Sequence, residues 1–308
     1  MTSTVEVAAV PIGTQTIRKV RIRIIPFIFV LYIVAFLDRI NITFAALTMN
    51  KELAITSQQY GILSGIFFIG YFLFEIPSNL LLHKVGARLW IARILVSWGI
   101  VAVLGGFVRG VHQLYGVRFL LGLAEAGFAP GMLLYLTYWF RQREQARAVG
   151  LYLSGMPIAS ILGSPVSGLI LDRVHWLGLS SWRWLLILEG IPAVACGLLT
   201  YFLLPSRPDE AKFLAIDEKE WLQSELAREE RQKMEQRQFS TLQALTSGRV
   251  AVGSNLFWDA YRSLLAELLG ASIGEFTFER VLQYFHRIPR DDSQLGGPCC
   301  DDLDFPQV

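Results

Sequence analysis

The run Leu89-Trp-Ile-Ala-Arg-Ile-Leu-Val-Ser-Trp-Gly-Ile-Val-Ala-Val-Leu-Gly-Gly-Phe-Val-Arg109 decides how this chain folds. About 20 helical residues cross the roughly 30 Å of hydrocarbon in a bilayer, and this run has that length with one ionisable residue, Arg93, between its ends. It lacks the period-two alternation of a barrel strand, so its backbone groups must be satisfied within the segment, which leaves a helix. Runs of the same kind recur at 24–47, 60–82, 114–138, 149–171 and 183–204. The reading is an all-α membrane protein with six transmembrane helices and a non-membrane tail.

Composition agrees. The chain is 53% hydrophobic and 18% charged, with mean hydropathy +0.42, more apolar than one water-soluble core requires. A net charge of +2, with Lys and Arg in short clusters between apolar runs, argues against a nucleic-acid partner and for the lipid bilayer. Those clusters set the orientation. Arg18, Lys19, Arg21, Arg23, Lys84, Arg88, Arg141, Arg143 and Arg147 fall on one side; Lys51, Arg109, Arg173 and Arg183 fall on the other. The positive-inside rule then places both ends of the bundle in the cytoplasm, in a plasma membrane or, for a bacterium, the inner membrane. The expected organisation is a cytoplasmic segment 1–23, a bundle 24–204, a charged cytoplasmic and partly helical loop 205–249, and a divergent tail 250–308 in which charges interrupt every candidate span. Residues 1–20 lack a signal-peptide pattern, so the first span is expected to be retained.

Ionisable side chains at mid-membrane cost about 2.5–3.5 kcal/mol each on insertion scales, so each one points to function. Asp38 and Arg39 sit in the first span, and Arg118 and Glu125 in the fourth. At 100° per residue, positions seven apart lie within about 20° of one face, two turns apart, so Arg118 and Glu125 share a face. Gly122 between them is expected to leave room beside the helix for an anion at Arg118. A guanidinium is a permanent charge with a planar fork suited to a carboxylate, and a buried acid changes protonation with its surroundings. The expectation is an anion site on Arg39 and Arg118 with Asp38 and Glu125 as proton carriers, rather than four charges that merely neutralise one another. Glu75, one turn after Tyr71, either joins this site or satisfies backbone freed by Pro77.

The remaining features read as structural. Ser160, Ser164 and Gly168, with Gly163 and Pro165, are expected to form a close-packing ridge on the fifth helix. Trp90, Trp98, Trp139, Trp176, Trp182 and Trp184 fall mostly near span ends, as an interfacial belt would. Cys196, Cys299 and Cys300 form no CxxC pair, and His83, His112, His175 and His286 are scattered, so neither a metal nor a cofactor is expected. Gly270-Ala-Ser-Ile-Gly274 matches a nucleophile-elbow pattern without strand or partners, and no enzyme is expected.

Several stretches together resemble the major facilitator superfamily, and within it the anion:cation symporters of tartrate, glucarate, galactonate and phthalate. They are Phe36-Leu-Asp-Arg-Ile-Asn41, Gly65-Ile-Phe-Phe-Ile-Gly-Tyr-Phe-Leu-Phe-Glu-Ile-Pro-Ser-Asn79, Gly86-Ala-Arg-Leu-Trp-Ile-Ala-Arg93, Arg118-Phe-Leu-Leu-Gly-Leu-Ala-Glu-Ala-Gly-Phe-Ala-Pro-Gly131 and Leu204-Pro-Ser-Arg-Pro-Asp-Glu-Ala211. The resemblance covers about 18–247 and implies the N-terminal six-helix bundle of that fold. It further implies proton-coupled uptake of a small carboxylate anion, with substrate on Arg39, Arg118 and Tyr71 and the proton on Asp38 and Glu125. The loop between the second and third helices resembles the superfamily's gate motif, with Lys84, Gly86 and Arg88 kept and His83 where an acid is usual. Members continue with six more helices. This chain therefore reads as the N-terminal half, truncated for instance by a frameshift, and is expected either to need a second half or a homodimer or to be inert alone.

Overall fold

The computed structural model describes residues 12–236, all of whose regular structure is helical. The segments 1–11 and 237–308, and with them the expected tail and the Gly270–Gly274 motif, lie outside the described residues. The first three helices are α1 (Ile12–Glu52), α2 (Ser57–Val85) and α3 (Ala87–Gly105). The fourth span is α4 (Val111–Glu125) followed by α5 (Phe128–Thr137), and the fifth is α6 (Gln142–Leu153) followed by α7 (Gly155–Arg173). The sixth is α8 (Ser181–Leu203), and α9 (Ile216–Gln236) follows the bundle. Six stretches among the described residues are long and apolar enough to cross a membrane, the six expected. The first is longer than expected, since α1 begins at Ile12.

Both breaks inside spans fall four residues before a proline. A proline ring crowds the carbonyl four residues earlier and removes one helical N–H, which weakens the helix there, although α1, α2, α7 and α8 each run through one, at Pro26, Pro77, Pro165 and Pro192. Pro130 crowds the Ala126 carbonyl, and Gly127 takes the left-handed turn at φ +84° before α5 restarts. Pro157 acts likewise on Leu153, where α6 gives way to α7 at Ser154. The expected unbroken fourth helix is thus two helices, and the bend falls directly after Glu125. The start of α2 is held by a capping box, with Gln59 N–H donating to Thr56 Oγ1 at 3.2 Å and Thr56 N–H to Gln59 Oε1 at 2.9 Å.

Small residues bring the helices together. α3 packs most extensively on α8 and α2 on α4. A Cβ on Gly99 would meet the Gly190 carbonyl at 2.8 Å, and one on Gly122 would strike the Phe67 carbonyl and lie 2.9 Å from Tyr71 N. Gly122 therefore seats α4 on the backbone of α2 and leaves no room for an anion beside it, contrary to expectation. The buried line of α7 is Gly155, Ala159, Gly163 and Ser167, one residue before the expected ridge, and a Cβ on Gly168 would meet nothing within 4 Å. Leu47, Leu73, Ile161 and Phe202 are 63–76% exposed, as lipid-facing side chains are.

The tryptophans divide in two. Trp98, Trp139 and Trp182 are completely buried and belong to the core, whereas Trp176, at 58% exposure, fits an interfacial belt. At one end Glu52 of α1 pairs with Arg183 at 3.2 Å and accepts from Trp182 Nε1 at 2.8 Å. At the other end α9 lies against α1, with Lys19 paired to Glu218 at 2.7 Å and Arg141 to Glu225 at 3.3 Å.

Candidate functional site

Asp38 and Arg39 are neighbours on α1, so their side chains leave the axis about 100° apart and enter different surroundings. Asp38, 1% exposed, turns inward, where Oδ2 accepts from Trp98 Nε1 of α3 at 2.6 Å and Oδ1 from Asn41 Nδ2 at 3.0 Å. Arg39 reaches α4, and its Nη2 pairs with Glu125 Oε1. Glu125 is 1% exposed while the Arg39 side chain keeps 22% exposure, so the pair is sealed on the acid's side and open on the base's. Its guanidinium lies 5.7 Å from the centre of the Tyr71 ring of α2.

Arg118 shares Glu125's buried face, at 6% exposure, with its guanidinium 5.9 Å from the Phe67 ring. Its charge acts on both Asp38 and Glu125, while Arg39 is the nearer cation to Glu125. A cavity of about 10 Å³ lies between Asp38, Asn41 and Arg118, walled by Ala102, Leu114 and Leu121. That is room for about one water molecule, so in this conformation Arg118 is closed to an organic anion and Arg39 is the accessible cation.

Tyr71, Arg39, Glu125, Arg118 and Asp38 thus converge, from α2, α1 and α4. Glu75 is half-buried within range of the Arg39 charge, and its backbone carbonyl accepts from Asn79 Nδ2 at 3.0 Å. Three participants are not singled out by the sequence: Trp98, Asn41 as Asp38's amide partner, and Glu189 of α8, which accepts from Ser167 Oγ at 2.9 Å. Glu189 carries a legible signal, an acid within the 183–204 span. Trp98 also carries a legible signal, its place at the middle of the 89–109 run, where a belt residue does not sit.

The gate-motif residues gather at the α2–α3 turn, where Gly86 holds φ +96°. Arg88 ties this turn to the segment after α8: its Nε donates to the Leu204 carbonyl at 3.2 Å, its Nη2 pairs with Glu210 at 2.7 Å, and its backbone N–H donates to Ser206 Oγ at 3.2 Å. His83 Nδ1 lies 3.4 Å from the Tyr138 hydroxyl, and Lys84 is exposed. The turn is held to the end of α8 and the segment after it through Arg88.

A family model for the Major Facilitator Superfamily matches residues 28–289. The chain belongs to that superfamily. Within it, a candidate tartrate transporter of Agrobacterium vitis is 52% identical over 209 residues, which are 68% of this chain and 48% of that protein. An inner membrane transport protein of Escherichia coli, RhmT, is 41% identical over 234 residues, 76% of this chain and 54% of that protein. The chain spans about half the length of the curated relatives it matches. Among solved structures, a bacterial homologue of the lysosomal transporter Spinster in an inward-facing, occupied conformation superposes with TM-score 0.56 at 20% identity, over 61% of this chain and 45% of that one. That likeness is one of fold. The superfamily match runs past Val250 into a stretch that none of the family-like motifs reaches. The chain is accordingly a multi-pass membrane protein of a transporter superfamily.

Proposed function

We propose that this bundle is the N-terminal half of a proton-coupled symporter for a small organic anion, tartrate or a sugar acid being the class its relatives' names support. The observation that carries the reading is the Arg39–Glu125 pair, an acid sealed at 1% exposure against a base still 22% exposed. A carboxylate arriving at Arg39 competes with Glu125 for one guanidinium. Releasing Glu125 as an unpaired buried anion is costly, several kcal/mol for a broken buried pair. A proton on Glu125 removes that cost, since the acid becomes neutral and Arg39 is left to the substrate. Anion and proton then bind together and leave together, which is symport. Tyr71 packs beside the guanidinium, and Arg118 and Asp38 set the field in which Glu125 takes its proton.

Alternating access requires a second bundle to rock against the first, so a second six-helix half, or a second copy of this one, is the partner. The excess of Lys and Arg on one side supports cytoplasmic bundle ends, and the bacterial relatives favour an inner membrane. The test is uptake of labelled tartrate or a hexonate into vesicles under an imposed proton gradient, with the chain alone and with a complementary half. Uptake that collapses with the gradient and is abolished by Arg39→Ala and by Arg118→Ala is expected. Uptake indifferent to the gradient or retained in those variants, or none from inserted protein in either format, overturns the proposal.

A further inference from the structure

Glu189 has no part in the symport scheme, yet it is the other acid deep in the bundle. It sits on α8 at 7% exposure. Its Oε1 accepts from Ser167 Oγ at 2.9 Å, while its Oε2 is buried with no hydrogen-bond partner. The side chains of α1 that act on it are Asp38 and Asn41, the amide being within hydrogen-bonding influence. Asn41, 1% exposed, spends one N–H on Asp38 Oδ1, and its own Oδ1 is buried without a donor. From α7 the facing group is the Ser167 hydroxyl. From α3 the site receives Trp98, whose N–H already goes to Asp38. Among the described residues, no lysine, arginine or histidine is one of the groups acting on Glu189; the one charge that does is Asp38, of like sign.

Two buried oxygens on adjacent side chains therefore lack donors. Each such group costs about 1–3 kcal/mol if left unsatisfied. One proton on Glu189 Oε2 turns that orphaned acceptor into an O–H donor and removes the repulsion between two acids. Two like carboxylates in one enclosure share a proton readily. We infer that Glu189, Asn41 and Asp38 form a second proton-holding site, enclosed by α1, α7 and α8 and joined to the surroundings of Glu125 through Asp38. Because its members come from α1 and α8, separating those two helices opens the site and exposes the proton. The burial of Glu189, its Ser167 bond and its unpartnered Oε2 stand whether or not Arg39 and Glu125 carry substrate and proton as proposed.

Infrared difference spectroscopy of the full chain in lipid vesicles reads it without transport. Titration is expected to show a protonated-carboxyl C=O stretch that disappears in Glu189→Gln, persists in Glu125→Gln, and shifts in frequency in Asp38→Asn. Ser167→Ala, which deletes a single hydroxyl and spares the fold, is expected to shift the same band, and it substitutes for Glu189→Gln should that variant not insert. Three results overturn the inference: no band sensitive to either variant, a Glu189 band that stays constant across the titration, or loss of the band on adding sodium at constant pH, which makes the site one for a metal cation.

Discussion

Trp98→Phe is the substitution in which this structure commits itself most sharply. Trp98 is completely buried, and its indole N–H gives Asp38 Oδ2 a 2.6 Å bond in an enclosure where that acid is 1% exposed. Phenylalanine keeps an aromatic ring and removes the donor. A hydrogen bond to a charged group contributes about 1.5–3 kcal/mol, and a buried oxygen deprived of its donor cannot turn to water for another. Trp182→Phe is the matched control. Trp182 is equally buried and also bonds a carboxylate, Glu52 at 2.8 Å, but the Glu52 side chain is 37% exposed and water replaces the lost donor. Both variants lose similar ring volume, so the difference between them isolates the unsatisfied buried oxygen. Reversible unfolding in mixed micelles should show Trp98→Phe less stable than Trp182→Phe by about 1–3 kcal/mol, a factor of roughly 5 to 150 in the folded-to-unfolded ratio at 1.4 kcal/mol per decade. Asp38→Asn in the Trp98→Phe background should recover part of the loss. Equal destabilisation by the two tryptophan variants refutes the reasoning.

Arg39→Ala should destabilise the bundle by about 3–5 kcal/mol because it strands Glu125, and Arg39→Ala with Glu125→Gln should unfold at higher denaturant than Arg39→Ala alone; no recovery would contradict the pairing. Gly122→Ala should cost about 1–3 kcal/mol or more by forcing α2 from α4, while Gly168→Ala, with open space around it, should leave the thermal midpoint unchanged or raise it. At the α1–α9 contact, burial raises the Glu218 carboxyl's pKa, but the Lys19 ion pair and the Ala215 N–H outweigh it and hold the carboxyl below its ordinary value. A depressed acid stabilises the contact above the unfolded-state pKa, about 4.3, and that stabilisation is lost as pH falls through the lower folded-state value. Spin labels on α1 and α9 should therefore move apart in the acid range, and Lys19→Ala should loosen them already at neutral pH; distances that ignore both changes would exclude the ion pair as the latch.

The sequence alone determined what crosses the membrane and which charges are out of place there. Length and hydropathy suffice for the first, because lipid rewards any sufficiently apolar helix, and Asp38, Arg39, Arg118 and Glu125 stand out by their insertion cost. Which way each helix faces was left to tertiary structure. In water one face of a helix must be polar, and the pattern reveals its rotation; in lipid both faces are apolar, so the ridge expected on α7 at Ser160–Gly168 is one residue out of register with the buried line Gly155–Ser167 that packing selects. Trp98 lies mid-span, which sets it apart from the belt, but only the rotation of α3 shows that its N–H meets Asp38. Gly122 could be read as space until the backbone of α2 filled it. The Ser167–Glu189 bond joins residues on different helices that no spacing relates. Rotation and partnership are decided by close packing of small residues between helices, a property of pairs of segments that no single segment carries.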